Sequence, residues 1–253
     1  MREKKWQKPL PWLMIVALLA LWEICVRAFN IPLYVLPGPV DVLSALFANF
    51  PTLFSHALVT SSEAALGMLI ALALGLLLGV AMDAFPLVRR CLYPILVVTQ
   101  TVPMIVLAPI LIIYLGFGMA PKILTVVLMC FFPVAVNFTD GMAQVGQGYV
   151  NLVRSYGASR AQVYKLVKLP AALPPLFSGL RVAATYSISG AVVGEWIGSQ
   201  SGLGYYLLRV KESYMLDRVF ACVLVIIALS LLMNGIVRLC QYIFLPFLRR
   251  AKG

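Results

Sequence analysis

The sequence predicts an all-α polytopic membrane protein that forms one transmembrane domain over residues 1–253 and crosses the bilayer six times. Of the 253 residues, 62% are hydrophobic and only 11% are charged, whereas soluble domains carry about 25% charged residues. Apolar runs of about 20 residues, the length that crosses a bilayer, recur along the chain. Lys and Arg concentrate in alternate connections between these runs. The composition excludes a soluble globular protein and an intrinsically disordered one.

The predicted spans follow one another with short connections. They cover residues 10–29, 57–82, 92–115, 121–140, 173–196 and 219–245. The second and the sixth are the clearest, since 64–82 and 219–237 contain no charged residue. Arg181 alone interrupts the fifth. Two glycines and a proline within 116–121 predict a tight helical hairpin between the third span and the fourth.

The basic residues predict the orientation of these spans. Thirteen Lys and Arg lie before span one, between spans two and three, between spans four and five, and after span six, against five on the other side. Because short cytoplasmic loops collect Lys and Arg, both termini are predicted to be cytoplasmic. No Lys or Arg occurs from Ala28 to Val88, so the loop after span one is predicted to be external. The net charge of +11 is interpreted as this topology signal and not as a nucleic-acid interface.

Several classes of function lack their characteristic residues in this sequence. No Gly is followed by Lys, so the chain has no GxxxxGK[ST] phosphate loop. His56 is the single histidine and the five cysteines form no CxxC, which indicates neither a metal site nor a disulfide framework. Glu23, Glu63 and Glu195 form no relay of the kind that ion-driven carriers place in the membrane. Uphill transport by this chain would therefore draw its energy from another polypeptide.

The segment 151–170, between spans four and five, predicts two short amphipathic helices joined at a glycine; we call it the elbow. In its first half Leu152, Val153 and Tyr156 lie at helical spacing. Gly157 follows, and glycine readily takes the left-handed conformation that ends a helix. The first helix is therefore predicted to end at this glycine.

In the second half of the elbow, Ser159 and Gln162 form a capping-box pattern that starts a helix. That helix is predicted to stop before Pro170, because the residue preceding a proline is driven out of helical geometry. Two interpretations of this basic, amphipathic element stay open on the residues alone. It can lie on anionic lipid, or it can dock in a groove of a soluble partner and transmit movement.

The elbow resembles the cytoplasmic signature of bacterial ABC importer permeases, EAA-x3-G-x9-I-x-LP. Gly157, nine intervening residues and Val167-Lys-Leu169-Pro170 match its second part, with Val in place of Ile, whereas Asn151-Leu152-Val153 departs from EAA. Four further segments are similar to the nitrate/sulfonate/taurine subgroup, which includes permeases for thiamine-precursor pyrimidines. They are Leu-Pro-Gly-Pro at 36–39, the stretch 101–118, Gly-Glu-Trp-Ile-Gly at 194–198 and Ser-Gly-Leu-Gly at 201–204. The resemblance extends from residue 10 to residue 246.

This resemblance implies a type I importer permease in the bacterial inner membrane. In such systems two permease subunits form the pathway, two cytoplasmic ATPases use ATP and Mg²⁺ to drive it, and an extracytoplasmic binding protein delivers the solute. The chain itself would bind no cofactor, catalyse no reaction and pair with a second copy in the lipid bilayer. The solute would be a sulfonate, taurine, a nitrate-type anion or a thiamine-precursor pyrimidine.

The resemblance also implies that the elbow, within the cytoplasmic loop 141–172, couples the permease to the ATPase. The predicted coupling residues are Leu152, Val153, Arg154, Tyr156, Gly157, Ala158, Ser159, Arg160, Gln162, Leu169 and Pro170. The alternative function is a self-sufficient secondary transporter or channel. A membrane-embedded enzyme is disfavoured, because no nucleophile–base pair or His/acid cluster is evident.

The third span carries Pro94, Pro103 and Pro109, and prolines kink helices because they remove a backbone hydrogen bond. These kinks either serve packing in a bundle or mark a span that lines the pathway. In the second case Gln100 and Thr101, together with Pro103, would contact the passing solute.

The fifth span is rich in small residues, which allow close helix contact, and is interpreted as central to the dimer or the pathway. Ser187 and Ser189 are its candidate lining residues. Glu195 is also a candidate, although a solvated charge at the membrane interface is the preferred interpretation of this residue. Glycines are predicted to serve packing in span two and an external turn after span five; they are Gly67, Gly75 and Gly79, and Gly202 and Gly204.

Overall fold

The computed structural model describes residues 10–245, which form helices and short connections without a β-strand. The predicted basic termini, 1–9 and 246–253, lie outside the described residues. In chain order the helices are α1 (Leu10–Ala28), α2 (Pro39–Ala48), α3 (Phe50–Ala84), α4 (Pro86–Thr99), α5 (Met104–Leu115), α6 (Met119–Ala143), α7 (Gln147–Ser155), α8 (Arg160–Val163), α9 (Leu169–Glu195), α10 (Leu203–Glu212) and α11 (Leu216–Phe244). A π-helical turn, Tyr164–Lys168, joins α8 to α9.

Within residues 10–245, five helical segments match predicted crossings, and a bent pair of helices lies at the remaining one. Helices α1, α3, α6 and α11 are each long and apolar enough to cross a membrane, and so is the continuous segment Arg160–Glu195 that contains α9. The pair α4 and α5 gives a sixth crossing if the two bent helices are counted as one broken span. We call the end of the molecule that carries α7 and α8 the inner end, and the opposite end, with α2 and α10, the outer end. The predicted orientation places the inner end in the cytoplasm.

Helix α6 lies between α3 and α9 and forms the centre of the apolar core. Glycines allow these helices to approach closely: a Cβ on Gly67 of α3 would lie 2.5 Å from Val126 Cβ, and a Cβ on Gly179 of α9 would clash with the Pro133 carbonyl oxygen. The predicted packing role of the span-two glycines is confirmed. The glycines of α9 contact α6 of the same chain, however, so they serve packing within one subunit and not a dimer contact.

A second apolar cluster lies at the outer end, where α2, α10 and the adjoining turns of α3 and α11 meet. Leu53 and Leu203 are among its fully buried members. The two short helices α2 and α10 were not predicted from the sequence. A local signal for α2 exists, because the Asp41 carboxylate accepts the Gly38 N–H at 3.1 Å and so caps the helix start.

The third span is broken, which corrects the expectation of one continuous, kinked helix over 92–115. Helix α4 ends at Thr99, α5 begins at Met104 after Pro103, and the two axes differ by 104°. Pro103 offers no N–H and disfavours helical geometry at the residue before it. Pro94 and Pro109 lie inside α4 and α5, which continue through them.

The expectation that Pro170 ends the second elbow helix is wrong. Helix α8 continues through the π-turn into α9, and Pro170 lies in the first turn of α9, where a missing N–H costs little. The N–H of Leu169 reaches back to the carbonyl of Tyr164, an i→i+5 bond that marks the widened turn. A continuous helical segment therefore runs from Arg160 to Glu195.

Candidate functional site

The corner of the elbow has the geometry that its glycine predicts. Gly157 has φ +84°, and its N–H donates to the Arg154 carbonyl oxygen at 2.8 Å. The Ala158 N–H donates to the Val153 carbonyl oxygen at 3.3 Å, which closes the end of α7. Because residues with a Cβ rarely adopt this φ, the angle between α7 and α8 depends on glycine.

The capping box at the start of α8 is confirmed. The Ser159 N–H donates to Gln162 Oε1 at 2.7 Å, and the Gln162 N–H donates to Ser159 Oγ at 3.4 Å. One turn further, Val163 is buried. The second half of the elbow is thus held against its own subunit, whereas a helix adsorbed on lipid would turn its apolar side outward.

The predicted coupling residues separate into an exposed and a half-buried group. Exposed at the inner end are Leu152, Arg154, Tyr156, Gly157, Ser159, Arg160 and Gln162. Val153, Ala158, Leu169 and Pro170 are half-buried, and Leu169 packs on the central core. Tyr156 is 85% exposed, and together with Leu152 it presents apolar surface between two arginines. Such a surface fits a protein groove with acidic residues at its rim.

Asp83, at the inner end of α3, binds the π-turn that follows the elbow. Its Oδ2 accepts the Tyr164 hydroxyl hydrogen at 2.5 Å and lies 2.6 Å from Lys168 Nζ. The carboxylate side chain is only 5% exposed. Asp83 was not predicted as a functional residue, although one signal was present in the sequence: it is the first charged residue after the uncharged stretch 64–82.

A second ion pair lies at the inner end and does not include the elbow. Arg89 Nη2 of α4 lies 3.0 Å from Asp140 Oδ1 of α6. Both side chains are partly exposed to solvent. Substitution of Asp140 is therefore a suitable control for substitution of Asp83.

The structure brings several predicted pathway residues to one face. Gln100 and Pro103, at the break between α4 and α5, line a cavity of about 280 Å³ together with Met129 of α6 and Tyr186 of α9. Ser189 is exposed and lies three residues after Tyr186, on the same side of α9.

Two other predicted pathway residues differ in their surroundings. Thr101 is exposed at the break, and its hydroxyl donates to the Val98 carbonyl oxygen at 2.7 Å. Ser187 is fully buried, and its hydroxyl donates to the Ala184 carbonyl oxygen at 2.9 Å. Ser187 is therefore not on the exposed face that carries Ser189.

Glu195 is not a solvated interfacial charge, which corrects the preferred sequence interpretation. It is 1% exposed, and its Oε1 accepts the Thr60 hydroxyl hydrogen at 2.7 Å. Its Oε2 accepts the Gly204 N–H at 2.6 Å, while the Leu203 N–H donates to Thr60 Oγ1 at 2.8 Å. The carboxylate thus caps the N-terminus of α10, a position that favours negative charge.

The glycines before and within α10 make room for this carboxylate. A Cβ on Gly204 would lie 3.0 Å from Glu195 Cβ and would clash with the Val192 carbonyl oxygen. Gly202 has φ +106° and lies against the same carboxylate. The predicted turn exists, and its glycines leave the space that the Glu195 side chain occupies.

A buried ion pair joins α3 to the start of α6. Lys122 Nζ lies 3.0 Å from Glu63 Oε1, and both side chains are withdrawn from solvent. The pairing of Glu63 with Lys122 was not predicted, because the two residues are 59 positions apart. No group of three His, Cys, Asp or Glu side chains within residues 10–245 could hold a metal ion.

Comparisons with known proteins agree with this arrangement. Residues 71–249 match the family model described as the binding-protein-dependent transport system inner membrane component. The chain is 36% identical over 221 residues to a probable ABC transporter permease protein of Haemophilus influenzae, covering 87% of this chain and 90% of that protein. It is 32% identical over 249 residues to the formylaminopyrimidine transport permease protein ThiX of Halalkalibacterium halodurans, covering 98% and 99%. It is also 32% identical over 260 residues to the taurine transport system permease protein TauC of Escherichia coli, covering 97% and 94%.

Among solved structures, the inward-facing MetNI methionine ABC transporter shares the fold. The TM-score is 0.54 at 20% identity, and the match covers 75% of this chain and 94% of that chain. At this identity the similarity concerns the fold alone.

Proposed function

The chain belongs to the family of binding-protein-dependent transport system inner membrane components, and on that premise we propose that its elbow is the part through which a separate ATPase drives import. The chain is a multi-pass permease subunit of an ABC importer in the inner membrane, with the type I permease fold. It is not itself an enzyme, since the ATPase of such a system is a separate subunit. The predicted family, fold class and location are thereby confirmed.

The observation that carries the coupling proposal is the continuous helical segment from Arg160 to Glu195. At a rise of 1.5 Å per residue, its 36 residues span about 54 Å, enough to cross the bilayer. A displacement of the second half of the elbow, from Arg160 onward, would therefore be transmitted to the outer end through continuous helix. The exposed Leu152 and Tyr156, with Arg154 and Arg160 beside them, supply the surface for the ATPase.

We further propose that the translocation pathway runs along the break between α4 and α5. Backbone groups freed by a broken span are tolerated in a membrane only where protein buries them or where they line a water-filled cavity. Here Gln100 and Pro103 line such a cavity, facing Tyr186. Thr101 and Ser189 are exposed on this face, and we propose that a second copy of this chain covers it.

The relatives' names suggest the class of solute. They refer to formylaminopyrimidine, taurine and aliphatic sulfonates. We propose that this chain transports a small polar solute of one of these classes, delivered at the outer end by a binding protein. ATP and Mg²⁺ would act in the partner ATPase, and this chain would hold no cofactor.

Reconstitution tests the proposed function. In proteoliposomes that contain the chain, its ATPase and its binding protein, uptake should require all three proteins and ATP. The variant Tyr156→Ala should weaken ATPase binding, because it removes the most exposed apolar side chain of the elbow. The matched control is Tyr114→Ala at the outer end of α5, since Tyr114 is 83% exposed.

Two results would contradict the proposal. Equal ATPase binding by the Tyr156→Ala and Tyr114→Ala variants would argue against coupling through the elbow. Transport by the chain alone under an ion gradient would favour the alternative, a self-sufficient secondary carrier.

A further inference from the structure

We propose that the outer end carries a binding site for a small oxyanion, that is, a carboxylate, sulfonate or phosphate group. The site is a cavity of about 360 Å³ between the first turns of α3, helix α10 and the turn that precedes α11. Arg209, Arg218, His56 and Tyr206 line it. This site lies apart from the break between α4 and α5, and its existence does not depend on the ATPase.

The arginines of this cavity differ from two other basic residues predicted to be external, while a third, Lys211, lies outside the cavity. Arg27 and Lys122 form ion pairs with acidic side chains. Within residues 10–245, Arg209 and Arg218 form no ion pair, and both line the cavity. A guanidinium group matches the geometry of an oxyanion, with which it forms charge-assisted hydrogen bonds. Lys and Arg normally accumulate on the cytoplasmic side, and these arginines lie at the outer end, so orientation in the membrane does not explain their presence.

Two neutral groups add hydrogen-bond donors. His56 Nδ1 accepts the Gly202 N–H at 3.1 Å, so a neutral imidazole carries its hydrogen on Nε2, where it can be donated. Tyr206 is only 7% exposed, and its buried hydroxyl has no hydrogen-bond partner among the described residues. A buried polar group without a partner is unfavourable, and a bound oxyanion would accept its hydrogen.

The cavity is preformed because α10 is held in place. Glu195 caps the start of this helix, and Thr60 accepts the N–H of its first residue, Leu203. The acidic residues nearest in sequence, Glu212 and Asp217, are not among the residues that line the cavity. The lining charge is therefore positive, and an anion would enter without rearrangement of the backbone.

Titration of the purified chain tests the proposal. The chain is placed in nanodiscs of phosphatidylcholine and titrated with methanesulfonate, phosphate or acetate by calorimetry, with chloride keeping the ionic strength constant. At least one of these anions should bind saturably. Arg209→Gln and Arg218→Gln should each weaken binding by about tenfold, as expected for loss of a charge-assisted hydrogen bond. Tyr206→Phe should weaken it less, while Lys211→Gln, an exposed base of α10 outside the cavity, should leave it unchanged.

The same oxyanion chemistry could come from a lipid headgroup, and a second arm identifies that source. In discs that contain phosphatidylglycerol, retention of this lipid by the wild-type chain, lost in the Arg209→Gln/Arg218→Gln double variant, would assign the site to a headgroup. The proposal is overturned if no anion binds saturably and no lipid retention depends on the two arginines. It is also overturned if Lys211→Gln weakens binding as much as Arg209→Gln. Uptake by the reconstituted importer is measured separately, so that a failure here leaves the proposed transport function untouched.

Discussion

Replacing Gly157 by alanine tests whether the elbow acts through its fixed angle. Gly157 has φ +84°, and a Cβ at this position would meet no atom within 4 Å. Alanine therefore brings no steric clash with neighbouring groups. Its only penalty is the left-handed backbone, about 1–2 kcal/mol for a residue that carries a Cβ. We expect the angle between α7 and α8 to relax while both helices remain.

The strain translates into a measurable loss of partner affinity. A penalty of 1–2 kcal/mol changes an equilibrium by a factor of about 5–30. If the ATPase binds the observed angle, its affinity for the permease should fall by a similar factor, because that conformation becomes less populated. A binding assay with the permease immobilised and the purified ATPase in solution measures this loss of affinity. ATP-dependent uptake in proteoliposomes should fall with it. The β-branched variant Gly157→Val should abolish uptake without preventing membrane insertion.

Gly235→Ala is the matched control for this prediction. A Cβ at Gly235 would also meet no atom within 4 Å, but this residue lies inside helix α11. Alanine is a better helix former than glycine by about 1 kcal/mol, so the control should bind the ATPase normally and be slightly more stable. The reasoning would be refuted if the Gly157→Ala variant kept wild-type affinity and uptake.

Three further substitutions probe the polar contacts of the spans. Asp83→Asn should allow assembly but lower the amount of solute transported per ATP hydrolysed, whereas Asp140→Asn, which opens the more exposed ion pair, should leave this ratio near the wild-type value. Glu195→Gln should lower the thermal unfolding midpoint in detergent, because an amide has one acceptor oxygen for two donors and the loss is about 1–3 kcal/mol; an unchanged midpoint would argue against the capping role. Lys122→Met should destabilise the fold by about 3–5 kcal/mol, since it leaves the buried Glu63 carboxylate without its cationic partner. The double variant with Glu63→Leu should recover most of that loss, and a double variant as unstable as the single one would contradict the ion-pair explanation.

Local features were predictable because the residues that determine them are close together in the sequence. The capping box of Ser159 and Gln162 depends on residues three positions apart, and the left-handed turn depends on Gly157 itself. The hairpin between spans three and four likewise follows from Gly116 and Gly118, both of which have positive φ. Composition was sufficient to locate the apolar crossing segments, since apolar length is an average over many residues.

The effect of each proline was not predictable from the sequence. Pro94 and Pro109 stay inside helices, whereas the chain turns sharply before Pro103. Pro170 does not end its helix, because it lies in the first turn of α9, after the π-turn, where a missing N–H costs little. Proline removes one hydrogen bond in every case, but neighbouring helices decide whether the outcome is a kink, a break or a widened turn.

The buried polar contacts were missed for a different reason. Thr60 and Glu195 are 135 positions apart, and Glu63 and Lys122 are 59 apart. A single sequence shows an acid within or beside an apolar span, which is costly and therefore meaningful. It does not show which distant residue binds that acid, so Glu195 was interpreted as a solvated charge.

The positions of these contacts indicate which helices move together. Thr60 of α3 bonds to Glu195 at the outer end of α9, and Asp83 of α3 bonds to Lys168 in the turn that leads into α9 at the inner end. Helices α3 and α9 are thus joined by polar contacts at both ends, with α6 closely packed between them. Helix α5, by contrast, consists of apolar residues apart from Tyr114. Apolar contacts are non-directional and tolerate sliding better than short hydrogen bonds do. A displacement of the elbow would therefore move α3, α6 and α9 as one body against α5, and the cavity at Gln100 and Pro103 lies where these two parts meet.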